Sequence, residues 1–135
     1  MNIDEIKKWN KYVVDRFVYT NDPYDPKHAD TWKDWSKVIL ENPTIRIYDD
    51  CDGLACTVAS LLYKKGATEN VFRLMVGSEG PTVDHMVSMI EDDDGQRWIV
   101  GDTWNDYPVK VENCKHKIIY VNDFAKDGVG WKDYK

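Results

Sequence analysis

The stretch "YDDCDGLACTVASLLYKKG", Tyr48 to Gly66, decides the reading of this chain. It sets a cysteine among Asp49, Asp50 and Asp52 and continues as an apolar run ending in Lys64, Lys65 and Gly66. Leu54, Ala55, Val58, Leu61 and Leu62 recur at the steps of one helix face. Asp50 fits the N-cap, Gly66 the C-terminal cap, and the two lysines suit the negative end of the helix dipole. The spacing predicts a helix over 51–65. Cys51 then lies in its first turn, three and four residues before Leu54 and Ala55, and shares their inward face. A helix N-terminus favours a thiolate. The three neighbouring carboxylates oppose one, unless they point away or hold a cation.

Upstream, Ile3, Ile6, Trp9, Val13 and Phe17 recur at helical spacing and predict an amphipathic helix over 3–18. "TNDPYDPKHAD" (20–30) reads as a loop. Asp30 or Thr31 caps a short helix carrying Trp32, Trp35, Val38 and Ile39, which Asn42-Pro43 ends before the strand "TIRIY" (44–48). Both tryptophans read as core. Beyond Gly66 the pattern changes to strands: "VFRLMV" (71–76), "HMVSMIE" (85–91), "RWIVGDTW" (97–104) and "KIIYV" (117–121). The tail "KDGVGWKDYK" reads as a loop.

The strands at 85–91 and 97–104 flank "DDDG", a solvated turn rather than an EF-hand loop, and form a hairpin. A two-residue turn at Asp94-Gly95 pairs Val87 with Asp102 and leaves His85 diagonal to Asp102. A four-residue turn places His85 directly opposite Asp102. Either register puts the two on one face; a three-residue turn does not. A cysteine at a helix N-terminus thus comes with a His–Asp pair, the materials of an activated thiol nucleophile. Cys56 lies about 140° around the helix from Cys51 and, with Cys114, reads as a packing residue. His28 and His116 read as exposed.

With 135 residues, the expectation is a single domain over 1–135. The net charge of −6, with no basic stripe, argues against a nucleic-acid partner. No apolar run approaches the roughly 20 residues that span a bilayer, and "MNIDEIKKWNKY" has no apolar signal region. Three cysteines, an odd number with no zinc-ligand spacing, suit free thiols in the cytoplasm. Six tryptophans and eight tyrosines predict a dense core or an aromatic-lined cleft.

Five segments in order carry a resemblance: "DRFVYTNDPY" (15–24), "DTW" (30–32), "DDCDGLA" (49–55), "DHMV" (84–87) and "IVGDTW" (99–104). Together they resemble the bacterial transglutaminase-like cysteine proteinases of the papain-like and transglutaminase-like superfamily, and most closely the compact stand-alone versions predicted in bacteriophage genomes. The resemblance implies an α+β fold with the nucleophile helix packed on an antiparallel sheet. It assigns Cys51 as nucleophile, His85 as base and Asp102 as orienting acid. It implies a monomeric thiol-dependent amide hydrolase with an acyl-enzyme intermediate, a protein or peptide substrate and no required cofactor. Transglutaminase-type acyl transfer on the same triad and a catalytically silent protein-binding module are the alternatives. Related proteases bind calcium on acidic residues beside the nucleophile. Here Gly53 stands where the family has an acid and Asp49 where it has a glycine, so an expected calcium ligand is missing, while Asp50 and Asp52 remain.

Overall fold

The computed structural model describes residues 1–20, 33–67, 71–77, 83, 85–124 and 130–134. The expected loop after Thr20, His28, the cap at Asp30 or Thr31, Trp32 and Asp84 lie outside the described residues.

Helix α1 (Ile3–Val14) starts where Asn2 Oδ1 accepts the Glu5 N–H at 2.9 Å. It stops four residues before the predicted end. Phe17–Tyr19 instead forms strand β1, parallel to β2 (Ile47–Asp49), with Phe17 beside Ile47. Arg16 seals the break by donating to the Tyr12 and Pro43 carbonyls at 2.7 and 2.6 Å. Phe17 keeps its core contact from the strand, which is why its helical spacing misleads. The short helix α2 (Ser36–Glu41) follows the N–H of Trp35, which donates to Thr57 Oγ1 at 3.0 Å.

Helix α3 (Cys51–Lys64) is the centre of the molecule. Every residue from Gly53 to Leu62 is buried, so both its faces meet protein. Leu54, Val58, Leu61 and Leu62 join Ile6 and Val13 of α1, Ile39 of α2 and sheet residues Val71, Ile90 and Val100 in one core. Its polar positions are satisfied internally: Thr57 takes the Trp35 N–H, and Ser60 Oγ meets Ser36 Oγ at 3.0 Å.

The sheet is antiparallel, with β3 (Val71–Gly77), β4 (His85–Glu91), β5 (Arg97–Val100), β6 (Val109–Lys110), β7 (Lys117–Asp123) and β8 (Lys132–Asp133) in the order β6-β5-β4-β3-β7-β8. Strand β8 pairs the tail with β7, where the sequence reads as loop. Strand β4 is buried on both faces along His85–Ile90. Ile90 faces the α3 core, while Val87 and Met89 pack with Leu74, Val76 and Ile99 on the opposite side. Ser88 is tolerated there because its hydroxyl donates to the Ala55 carbonyl at 2.7 Å.

The hairpin corrects the expected register. Ser88 pairs with Val100 and Glu91 with Arg97, and the Asp92 N–H donates to the Gln96 carbonyl at 2.8 Å. The turn therefore has three residues, Asp93 to Gly95. Nor is Asp92 a solvated turn residue. It is buried, and its carboxylate takes the N–H groups of Asp94 and Gln96 and the Trp98 indole. Continued as regular strand, this register would turn Asp102 away from His85. The strand does not continue: β5 ends at Val100, and Gly101 takes φ +61° and redirects the chain. Asn10, buried in α1, accepts the Gly101 N–H at 2.9 Å and donates to the Asp106 carbonyl at 3.4 Å, clamping this loop from outside the sheet.

Gly101→Ala should unfold more easily than wild type by urea titration. A side chain in the left-handed region costs about 1–2 kcal/mol, and its Cβ would lie 3.1 Å from both Ala55 Cα and Val58 Cβ. Unchanged stability would show that the redirected loop does not depend on glycine.

Candidate active site

Cys51 is the first residue of α3, after Asp50 in extended backbone at the N-cap. The Asp50 side chain does not cap the helix, contrary to the sequence reading; only its carbonyl enters the helix ladder, accepting from Leu54 at 3.2 Å. His85 and the backbone of Met86 and Asp52 act on the Cys51 thiol, each favouring its ionised form. Burial pushes this thiol up. The hydrogen bond and charge of His85, with the backbone contacts, outweigh burial and bring it below its ordinary value. The side chain pairs with an imidazole at a helix N-terminus, the setting that makes a thiol nucleophilic.

His85 opens β4, and its Nε2 lies 2.9 Å from Asp102 Oδ1. That leaves Nδ1 as the nitrogen for Cys51. Burial opposes the imidazolium, but the hydrogen bonds and charges of Asp102 and Cys51 raise its pKa to about 9. Asp102 follows the redirecting glycine and forms an isolated bridge with Asn105. Its Oδ1 also accepts the Trp104 N–H at 2.9 Å; its Oδ2 accepts His116 Nε2 at 2.6 Å and Asn105 Nδ2 at 3.4 Å. Burial alone would raise this carboxyl, but these donors, His116 first, hold it well below the usual carboxylate range. The structure thus brings Cys51, His85 and Asp102 together, although not through the expected strand pairing.

His116 is a correction. Sequence reading places it on the surface, yet its side chain is 3% exposed and bonded to Asp102. No local pattern marks it, because the contact spans 14 residues and runs from the approach to β7 to the loop after β5. Trp104 is the other missed participant. Its ring stacks on His85 with centroids 4.7 Å apart and planes at 9°, and lies 4.7 Å from His116. It is 57% exposed, so it roofs the histidines against solvent. Beside it opens a cavity of about 450 Å³ with Asp102 and His116 in its wall, together with Ile99, Val109 and Tyr107. Burial pushes the Cys56 thiol up to about 11 and also raises Cys114, in keeping with packing roles.

The aspartates around Cys51 have distinct tasks. Asp49 is buried; its Oδ1 accepts the Asp50 N–H and its Oδ2 the Trp35 indole, each at 2.8 Å. Asp52 Oδ1 accepts the Gly53 N–H at 2.9 Å. Asp50 Oδ1 is buried with no hydrogen-bond partner. Asp49, Asp50 and Asp52 bring ligand atoms within 4.8 Å of one another. Gly53 explains how Asp49 fits: a Cβ at position 53 would lie 2.2 Å from Asp49 Oδ2.

A helix that opens on a cysteine and packs against an antiparallel sheet carrying the histidine is the papain-like, transglutaminase-like α+β fold. Solved structures of Legionella pneumophila LapG share it. The EGTA-treated form superposes with a TM-score of 0.69 at 19% identity, over 98% of this chain and 67% of LapG. The calcium-bound form gives 0.64 at 20% identity, over 97% and 73%. A third LapG structure gives 0.65 at 20% identity, over 89% and 63%. No protein-family model and no curated protein matches the chain by sequence. No helix among the described residues is long and apolar enough to cross a membrane.

Iodoacetamide should alkylate Cys51 well below pH 8, while Cys56 and Cys114 stay slow. His85→Ala should move the Cys51 midpoint upward, because it removes the partner that opposes burial. Peptide mass spectrometry across pH reads all three thiols; equal rates in wild type would dissolve the pairing.

Proposed function

We propose that the chain is a thiol-dependent amide hydrolase, a cysteine peptidase acting on protein or peptide substrates. The observation that carries this reading is the buried His85, its Nε2 2.9 Å from Asp102 Oδ1 and its influence lowering the Cys51 thiol at the start of α3. In this mechanism Asp102 keeps the proton on Nε2, so Nδ1 receives the Cys51 proton. The thiolate attacks the substrate carbonyl. The Cys51 backbone N–H, among the helix N–H groups without an intrahelical acceptor, supports the oxyanion with one further donor. His85 Nδ1–H protonates the leaving amine as the C–N bond breaks, giving a thioester. Water, deprotonated by His85, then releases the carboxylic acid and restores the thiol. An amine in place of that water would make the same site an acyl transferase.

Calcium belongs to this proposal as an accessory. Gly53 leaves the expected ligand at that position missing, and Asp49 fills the space that a side chain at 53 would need. Three clustered carboxylates, one with a buried oxygen lacking a partner, fit a hard divalent cation. Asp49, Asp50 and Asp52 would hold it, and its charge would offset theirs beside the Cys51 thiolate. The Trp35 indole orients Asp49 through its Oδ2.

A thiol-directed peptide electrophile should be trapped at Cys51, and a peptide library should be cleaved. Asp102→Asn should preserve some trapping but cut turnover, since it disturbs the imidazole tautomer more than it removes the thiolate. Turnover should rise with pH as Cys51 ionises, then fall through about pH 9 as His85 loses the proton the leaving amine needs. Alkylation without cleavage of any peptide would point to a silent binding module.

Calorimetric titration should show saturable calcium binding that Asp50→Asn abolishes. No heat, and the same melting temperature in calcium and in EGTA, would remove calcium from the account.

A further inference from the structure

His116 is the buried histidine that the proposed chemistry leaves unused. We propose that it is a positioning residue: its Nε2–H holds Asp102 Oδ2, so that Oδ1 stays on His85. This rests on the function proposed above.

Asp102 needs such a hold because the sheet does not supply one. It follows Gly101 beyond the end of β5, where the ladder no longer dictates side-chain direction. Two of its four donors, the Trp104 N–H and Asn105 Nδ2, belong to its own loop and move with it. Among the described residues, only His85 and His116 tie it to other parts of the chain. His116 immediately precedes β7, far from β5 in the sheet order, so its bond fixes the loop against a separate element. With the His116 and Asp102 side chains 3% and 2% exposed, water does not compete for the 2.6 Å bond.

The ring is itself fixed. The His116 backbone N–H donates to Cys114 Sγ at 3.2 Å, and its plane leans on Trp104. Its Nδ1 is buried with no hydrogen-bond partner. A residue kept only to fill this space would be better apolar, because an unpartnered buried nitrogen costs stability. The Nε2 contact to Asp102 is what a leucine of similar size would lack. His116→Gln keeps a neutral N–H donor at comparable reach, whereas His116→Leu keeps the bulk alone.

The test is the saturable labelling of Cys51 by a thiol-directed peptide electrophile at fixed pH, with melting temperatures for each variant. His116→Leu should lower the maximal labelling rate about tenfold or more, the scale of one hydrogen bond to a buried charge. Its half-saturating concentration should stay near wild type. His116→Gln should stay within about threefold of wild type by the same reasoning. In wild type, nitrogen NMR of the histidine side chains should show a proton on His116 Nε2. A leucine variant as fast as wild type, a glutamine variant as slow as leucine, or a wild-type proton on Nδ1 alone would overturn the assignment. Should the leucine variant not fold, the glutamine variant and the wild-type nitrogen spectrum decide. A wild type that labels Cys51 no faster than Cys56 instead ends the functional reading, and the nitrogen spectrum then judges the His116 bond by itself.

Discussion

A carboxylate buried beside an imidazole must stay charged, and that constraint organises the half of the molecule around Asp102. An isolated carboxylate there would take up a proton and lose its hold on His85. Four donors from three parts of the chain prevent this, and each depends on structure elsewhere. The Gly101 turn aims the carboxylate inward, Asn10 of α1 clamps the turn, and the approach to β7 brings His116. The N-terminal helix therefore contributes to the site without touching its chemistry. It packs on α3, which carries Cys51, and bonds the loop that carries Asp102.

Charge around the thiol follows the opposite logic. Three carboxylates near a cysteine should suppress its ionisation, yet Cys51 is shifted downward. Asp49 spends both oxygens on N–H donors, which disperses its charge. Asp52 turns one oxygen to the Gly53 amide at the helix N-terminus, where negative charge is favoured. The influence of His85 is the first of those that bring the thiol down against burial. The opposition seen in the sequence is real, and hydrogen bonding rather than distance relieves it.

Helix α3 and the cysteine at its start were legible because helical periodicity and a terminal Lys-Lys-Gly are local signals. The strands of β3, β4 and β7 were legible for the same reason. The meeting of His85 and Asp102 was anticipated from the wrong geometry. Strand alternation predicts facing side chains only while both strands continue, and the glycine in "IVGDTW" marks where one stops. His116 was not legible, since "NCKHK" holds no periodicity and its burial depends on a loop 14 residues away. The early end of α1 was hidden because Phe17 satisfies the core from a strand as well as from a helix.

Positions 49 and 53 are coupled in space although they are separated in sequence. Along the chain Asp49 and Gly53 stand four positions apart, on opposite sides of Cys51. In the folded molecule the two positions compete for one volume, because a Cβ on residue 53 would overlap the Asp49 carboxylate. A side chain at 53 would therefore force Asp49 to move. A glycine at 53 is thus the condition for an aspartate at 49. The Trp35 indole, half-buried against the core, then supplies the donor for Asp49 Oδ2, beside the Asp50 N–H on Oδ1. Substituting any one of Trp35, Asp49 and Gly53 alone should disturb the helix start more than changing Asp49 and Gly53 together, since only the paired change preserves one acid in one space.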